Sequence, residues 1–208
     1  MKKVSVIIPY NKDRGYLSAA IDSVKQQTYK NIELILSQSE GSGAFNLMRG
    51  VEQATGDYIK WLGEDDILLE NCITDSVNFI EPYDFIHAKG FNYYPDRVEP
   101  YKLTNPDSTL ESMLIQNGIN GGTVFYKRSV FDKFSFDEDL WTAGEYDFHL
   151  KLLFNGLKLG YLDKFVYLYR RHSEQKSLGN RNSEYQSRRN EVVKEIRLRY
   201  DPSNRINT

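Results

Sequence analysis

The first 62 residues of the chain alternate between two kinds of apolar pattern. Runs at 4–8, 32–36 and 57–62 have the character of strands, and the first is apolar enough to be buried on both faces. Between them, apolar residues recur at i, i+3, i+4 and i+7, which places them on one side of a helix. These two stripes consist of Leu17, Ala20, Ile21 and Val24, and then Ala44, Leu47, Met48 and Val51. This order of elements predicts βαβ units on a parallel sheet, and therefore an α/β fold.

The rest of the chain is less regular, and its elements are predicted singly. Pro9 is expected to end the first strand. A helix is expected over 69–80, a strand at 83–88, and a long irregular connection at 90–107, of the kind that often binds ligands. We further predict a strand at 123–126, a helix at 146–155, strands at 158–162 and 166–170, and a helix at 187–199.

Charge and cysteine content exclude several classes of protein. The formal net charge is −2, so electrostatics give no reason to expect nucleic-acid binding. The single cysteine, Cys72, excludes an internal disulfide. No apolar run approaches the ~20 residues of a membrane span, and the first one is too short for a signal peptide. We therefore expect a cytoplasmic protein, whose basic stretch "SRRNEVVKEIRLRY" is either a solvated helix or a peripheral contact with an anionic membrane.

Three consecutive acidic residues, Glu64, Asp65 and Asp66, follow the third predicted strand. Ligands of parallel α/β sheets bind at the carboxyl ends of strands, where this cluster lies. Clustered carboxylates suit Mg²⁺ or Mn²⁺, which proteins usually hold with one or two carboxylates plus phosphate oxygens of a substrate. The alternative is a solvated turn, in which Asp66 caps a helix that begins near Ile67.

Five stretches in this order resemble a known enzyme family. They are "VSVIIPYN", "LSAAIDSVKQQTYKNIELIL", "ATGDYIKWLGEDD", "GGTVFYKRSVFDKFSFDEDLWTAGEYDFHLKL" and "YLYRRHSEQKS". Together they resemble the family 2 glycosyltransferases of the GT-A fold. The resemblance implies a Rossmann-like GT-A domain over 1–172, with a mixed, mostly parallel sheet flanked by helices, and a polar, basic tail with a helix over 173–208. It also implies inverting transfer of a sugar from a nucleotide diphosphate, with UDP expected, to a hydroxyl of a growing glycan or polysaccharide.

The resemblance assigns metal-binding and catalytic roles to particular residues. Asp65, Asp66 and His172 are the implied ligands of Mn²⁺ or Mg²⁺, with Asp65 the direct one. Gly63 stands where the family has the first Asp of its Asp-x-Asp-Asp motif, and the neighbouring Glu64 is the candidate to replace that contact with the donor.

The implied general base lies in "TAGEYDFHLKL". Glu145 stands at the position of the family's catalytic Asp, and a general base near the anomeric carbon is what the reaction requires. Asp147 is the alternative base. In a further alternative, both acids only stabilise the first turn of a helix, where the dipole favours negative charge.

The remaining assignments concern the two substrates. The expected donor-binding residues, besides Glu64 and Asp65, are Pro9, Tyr10, Asn11, Gln38, Ser39, Arg49 and Arg170. The expected acceptor-binding residues are Gly121, Gly122 and Trp141. A competing hypothesis is that the domain has the same fold but no catalytic activity, and is a sugar-nucleotide or carbohydrate-binding module. A nucleotidyl- or phosphotransferase on a related sheet would not need the segments around Glu145 and His172.

Overall fold

The computed structural model describes residues 1–102, 108–175 and 183–203. Its strands are β1 (Val4–Tyr10), β2 (Ile32–Gln38), β3 (Tyr58–Trp61), β4 (Ile67–Leu68), β5 (Phe85–Tyr93), β6 (Val98–Pro100), β7 (Phe125–Lys127) and β8 (Leu159–Arg170). Its α-helices are α1 (Leu17–Lys25), α2 (Gly43–Gln53), α3 (Cys72–Phe79), α4 (Leu110–Ile115), α5 (Gly144–Phe154) and α6 (Ser183–Arg199). Short 3₁₀ turns lie at Gly121–Thr123 and Arg128–Val130.

The strands form one mixed sheet in the order β2-β1-β3-β7-β5-β8-β4, with β6 added beside β5. Strands β1, β2 and β3 are parallel, as are β5 and β8. Strand β7 lies antiparallel between β3 and β5, and β4 and β6 also pair antiparallel. Five strands therefore run in one direction and three in the other. The prediction of a mixed, mostly parallel α/β domain is confirmed.

Apolar side chains fill both faces of this sheet. On one face, Ile7 and Ile59 belong to a core that includes Leu47 of α2 and Leu150 of α5. On the other face, a second core includes Val24 of α1 and also takes side chains from α3. Burying a side chain of this kind stabilises the fold by roughly 1.5–3 kcal/mol. The helices therefore cover the sheet from two sides.

Proline 9 does not end the first strand, contrary to the prediction. Strand β1 continues to Tyr10, and Pro9 stays in register with Ser37 of β2. The carbonyl of Ile7 accepts a hydrogen bond from Leu62 on the β3 side, so Pro9, two residues later, points to that same side. The β1–β3 pairing ends at Ile7 and Trp61. The strand therefore tolerates the missing N–H of Pro9, because β3 has no carbonyl there to accept a hydrogen bond from it.

Several predicted boundaries in the second half are wrong. Residues 67–68 form strand β4, paired with β8, and do not begin a helix capped by Asp66. The two strands predicted at 158–162 and 166–170 are one strand, β8. The connection predicted at 90–107 contains the end of β5 and all of β6, while 103–107 lie outside the described residues.

The polar tail contributes to the core of the domain. Helix α6 begins before the predicted residue 187 and buries Ile196 completely, and Tyr200 just beyond the helix is 5% exposed. The division of the chain at residue 172 stays a prediction, since nothing in the structure marks a boundary there. Within the described ranges, the structure contains no helix with the length and apolar character of a membrane span.

Candidate active site

An open cleft of about 610 Å³ lies at the carboxyl ends of β1 and β3. Its walls come from the ends of these strands, the start of α2, the segment 140–146, the end of β8 and the side of α6. Side chains or backbone of Pro9, Ser42, Trp61, Gly63, Asp65, Asp66, Trp141, Glu145, Tyr169, Tyr185, Gln186 and Arg189 are among those that line it. The cleft is where open α/β sheets bind ligands.

Asp65 and His172 lie side by side at this cleft. The His172 Nε2 is 3.0 Å from Oδ2 of Asp65, and the two side chains are only 10% and 20% exposed. The ring of Tyr16 packs against the imidazole with a centroid distance of 4.8 Å. One carboxylate and one imidazole suit Mn²⁺ when phosphate oxygens of a substrate complete the coordination. In residues 1–102, 108–175 and 183–203, no group of three or more His, Cys, Asp or Glu is arranged to hold a metal alone.

Asp66 is engaged differently from Asp65. It borders the cleft but is 4% exposed, and both carboxylate oxygens accept hydrogen bonds. Oδ1 accepts from the backbone N–H of Arg170 at 2.9 Å, and Oδ2 accepts from the hydroxyl of Tyr167. Burial, followed by the neighbouring charge of Asp65, raises the pKa of Asp66. Asp66 therefore joins the acidic turn to β8, and its predicted role as a metal ligand stays a prediction.

Gly63 stands where the Asp-x-Asp-Asp motif has its first Asp, and Glu64 is the residue predicted to replace that contact. A Cβ at Gly63 would lie 2.6 Å from Oδ2 of Asp66 and 2.9 Å from Oδ1 of Asp65, so the two carboxylates leave no room for a side chain. Glu64 is 8% exposed and forms an ion pair with Arg14 in the loop after β1. Glu64 is thus paired with Arg14 and lies outside the cleft lining, and its contact with the donor stays a prediction.

Glu145 lies in the first turn of α5 and lines the cleft. The turn before the helix is sharp, because Ala143 has a left-handed backbone with φ of 58°. The carboxylate lies against Gly121, where a Cβ would come within 1.9 Å of Oε2. Glu145 is exposed to the solvent of the cleft, but its carboxylate packs against the backbone of Gly121, which removes part of its hydration. This desolvation raises the pKa of Glu145 to about 7, and the positive charge of Lys60 opposes the rise.

Asp147, the alternative base, does not line the cleft. It is fully buried, and its Oδ1 accepts hydrogen bonds from Arg199 at 2.8 Å and from the hydroxyl of Tyr200 at 3.0 Å. Lys151, one turn later in α5, lies 3.6 Å from Oδ2. Asp147 therefore anchors the end of α6 to α5.

We expect Asp147→Ala to lower the free energy of unfolding by about 1–3 kcal/mol, because it removes the hydrogen bonds that Arg199 and the Tyr200 hydroxyl donate to a buried carboxylate. The half-exposed Arg199 moderates the loss. Urea unfolding measures the effect. Asp137→Ala is the matched control: its contact with Arg199 is 3.5 Å long and more exposed, so its loss should stay under about 1 kcal/mol. Equal losses in the two variants would contradict the anchoring role.

The predicted donor residues after β1 and β2 are held together by an unpredicted one, Asn46. This fully buried residue of α2 donates from Nδ2 to the carbonyl of Tyr10 at 3.0 Å and to that of Ser39 at 3.2 Å. Its Oδ1 accepts from the Ser39 hydroxyl at 2.5 Å. Sequence patterns gave no sign of this role, apart from a polar residue on the inner side of an amphipathic helix. Asn46 fixes the ends of β1 and β2 relative to each other.

Other predicted donor residues are dispersed. Pro9 lines the cleft, while Asn11 and Gln38 are exposed near the ends of β1 and β2. Arg49 is exposed and stacks over Phe45, 5.8 Å from the ring centroid, outside the cleft lining.

Arg170 lies between two aromatic rings and does not line the cleft. Its guanidinium carbon is 4.8 Å from the ring centroid of Tyr16 and 5.0 Å from that of Tyr93. Its Nε donates to the backbone carbonyl of Asp65 at 2.7 Å. Arg170 thus supports the backbone of the acidic turn, whereas contact with a donor phosphate stays a prediction.

The predicted acceptor residues fall into two groups. Gly121 and Gly122 are buried in a 3₁₀ turn, where they allow the side chains of Glu145 and Tyr167 to pack against the backbone. Trp141 is 40% exposed and lines the cleft, and it meets the ring of Tyr185 edge-on at 5.3 Å.

Helix α6 provides cleft residues that the sequence did not reveal. Tyr185, Gln186 and Arg189 line the cleft beside Trp141. The polar composition of the tail masked this contribution, since its apolar residues are few and widely spaced.

Comparison with known proteins relates the chain to glycosyltransferases. No protein-family model matches it. It is 26% identical over 220 residues to a protein of Rickettsia felis (strain ATCC VR-1525 / URRWXCal2) named as an uncharacterized glycosyltransferase, covering 87% of this chain. The match covers 36% of that protein, so the chain spans little more than a third of its relative's length.

Solved structures resemble the fold closely. The S. aureus TarS 1–349 structure in complex with UDP-GlcNAc superimposes with a TM-score of 0.68 at 18% identity, covering 92% of this chain and 65% of that one. The mannosyltransferase PcManGT from Pyrobaculum calidifontis, in complex with GDP-Man and Mn²⁺, gives a TM-score of 0.61 at 12% identity, covering 85% and 59%. The chain therefore has a fold that glycosyltransferases use.

Proposed function

We propose that this chain is an inverting, metal-dependent glycosyltransferase domain of the GT-A fold that uses a UDP-sugar. The observation that carries the proposal is that Asp65 and Glu145, which come from separate elements of the fold, border one cleft. Sugar transfer from a nucleotide diphosphate needs two carboxylates with different tasks, one near the leaving phosphates and one near the acceptor hydroxyl. The resemblance to family 2 and the TarS complex with UDP-GlcNAc support the same assignment.

The donor side of the reaction involves Asp65 and His172. Together with two phosphate oxygens, these side chains would hold Mn²⁺ or Mg²⁺, which neutralises negative charge on the leaving diphosphate when bound. The PcManGT structure in complex with GDP-Man and Mn²⁺ supports such a metal in a protein of this fold. Arg170 donates a hydrogen bond to the backbone carbonyl of Asp65 and so keeps this residue in place, and Tyr16 packs on His172. Because these contacts hold the two side chains in place before the reaction, the side chains need little rearrangement to reach the transition state.

The acceptor side of the reaction involves Glu145. Its carboxylate accepts the proton of the acceptor hydroxyl while the hydroxyl oxygen bonds to the anomeric carbon. The bond between that carbon and the β-phosphate oxygen breaks, and UDP leaves. Attack on the face opposite the diphosphate inverts the anomeric configuration.

The acceptor is proposed to lie along Trp141 and α6. The exposed face of Trp141 can stack on a sugar ring, and Tyr185, Gln186 and Arg189 continue the same wall. A glycan acceptor would fit this arrangement, because aromatic and polar side chains alternate among these lining residues.

Nucleotide binding and donor turnover test the proposal together. Calorimetry with UDP, GDP and dTDP, each with Mn²⁺ and with EDTA, should show metal-dependent binding of UDP alone. UDP release from a panel of UDP-sugars, with and without glycan acceptors, should then identify a substrate. The absence of binding for all three nucleotides would contradict the proposal.

Gly63 supports one competing function, a sugar-nucleotide-binding module without catalysis. The family's first Asp is missing there, and the side chains of Asp65 and Asp66 occupy the space. Such a module would bind UDP in the same calorimetry but release none from any UDP-sugar. Turnover that depends on Glu145 separates the two functions.

A further inference from the structure

Lys60 of β3 lies in the interior of the domain, beneath the cleft. Its side chain is fully buried, and its Nζ donates hydrogen bonds to the carbonyl oxygens of Gly122 and Val124, the second at 3.1 Å. Among the described residues it forms no ion pair within 4.0 Å. Burying an ammonium group is costly even when it is hydrogen-bonded, so a cation retained here needs a reason beyond packing.

The turn that Lys60 binds also carries the proposed base. Gly121, next to the first carbonyl partner, lies directly against the Glu145 carboxylate. The hydrogen bonds of Lys60 connect this turn to strand β3. The position of the Glu145 carboxylate therefore depends on a turn that Lys60 holds in place.

Charges around Lys60 and Glu145 define the electrostatics of this region. Lys60 is faced by Asp66, by Cys72 of α3 and by Glu145, and the ring of Tyr167 is 5.8 Å from its Nζ. Glu145 is faced by Lys60 and by Tyr126 of β7. Burial lowers the pKa of Lys60 to about 8, so it remains largely charged at neutral pH. Its charge acts on Glu145 more strongly once substrates displace water from the cleft.

We infer that Lys60 is a positioning residue for the general base, which holds the Gly121–Gly122 turn against Glu145 and supplies a positive charge that favours the ionised form of this carboxylate. The inference rests on the proposed function, since it assigns Lys60 to the same reaction. A carboxylate that loses a nearby cation ionises at higher pH. Without Lys60, the base would therefore become active at higher pH than in the wild type.

The test uses Lys60→Gln, which removes the charge and retains a polar N–H donor, with its nitrogen one bond nearer the backbone than Nζ. For UDP-sugar turnover, we expect the acid limb of the kcat/KM profile to shift upward by about one pH unit. Calorimetric UDP binding should stay within about threefold of wild type, since Lys60 does not line the cleft. A variant that binds UDP normally but has an unshifted limb and wild-type turnover would overturn the inference. If Lys60→Gln does not fold, Lys60→Met replaces it in the same measurements.

A double-variant comparison separates positioning from general structural support. In a Glu145→Gln background no carboxylate remains for Lys60 to act on, so adding Lys60→Gln should leave the residual turnover unchanged. A further loss as large as that in the wild-type background would assign Lys60 to structure alone. If the wild type itself turned over no UDP-sugar, the proposed function would fail first, and this outcome is distinct from a wild type that is active and insensitive to Lys60.

Discussion

Glu145→Gln should lower the rate of sugar transfer by about 10²–10⁴-fold, the usual contribution of a general base. Glutamine keeps the size of the side chain, and therefore its packing against Gly121, but cannot take the proton of the acceptor hydroxyl. Binding of UDP should remain near the wild-type value, because the donor side of the cleft is unchanged. The measurements are kcat with the best donor and acceptor pair, and UDP affinity by calorimetry.

The pH dependence of the wild type gives a second measure of the same residue. Desolvation raises the pKa of Glu145 to about 7, and a protonated carboxylate cannot act as a base. Activity should therefore rise as the pH increases through about 7, and Glu145→Gln should abolish this limb. Glu52→Gln, an exposed change on α2, serves as the control and should match the wild type. Retention of both rate and limb in Glu145→Gln would remove Glu145 from the mechanism.

The architecture was predictable where the local pattern and the tertiary environment agree. The strands and helices of the first 62 residues were found because each places apolar side chains on the sheet core at a regular spacing, although those of β2 are only partly buried. Strand β8 was divided in two because Asp163, Lys164 and Phe165 are exposed in its middle, where the pairing with β5 changes register. Strand β4 has only two residues, too few to show any period.

Residues of the candidate site were predictable only where they belong to a stretch that resembles a family motif. Asp65, His172, Glu145 and Trp141 followed from the resemblance, and the structure places three of them in the cleft lining with His172 beside Asp65. Lys60 was missed because a lysine in a strand normally indicates an exposed position. Its partners, Gly122 and Val124, lie 62 and 64 residues away, and no local pattern reports such contacts.

Asp65→Asn should abolish the metal dependence of UDP binding and lower sugar transfer by about 10²-fold or more. Asparagine is nearly the same size as aspartate, and its backbone carbonyl can still accept from Arg170. The change therefore removes one negative charge from the pair with His172 and leaves the acidic turn supported. Calorimetry with UDP, in Mn²⁺ and in EDTA, measures the first effect, and UDP release measures the second.

The informative quantity for Asp65 is the difference between the two calorimetric conditions. In the wild type, UDP should bind at least about tenfold more tightly with Mn²⁺ than with EDTA, whereas Asp65→Asn should bind equally in both. Asp22→Asn, an exposed carboxylate on α1 paired with Lys25, controls for the loss of one charge and should keep the wild-type difference. An unchanged Mn²⁺ effect in Asp65→Asn would exclude Asp65 as a ligand. Loss of the effect in a folded Asp66→Asn variant instead would mean that Asp66 exchanges its hydrogen bonds with Tyr167 and Arg170 for the metal.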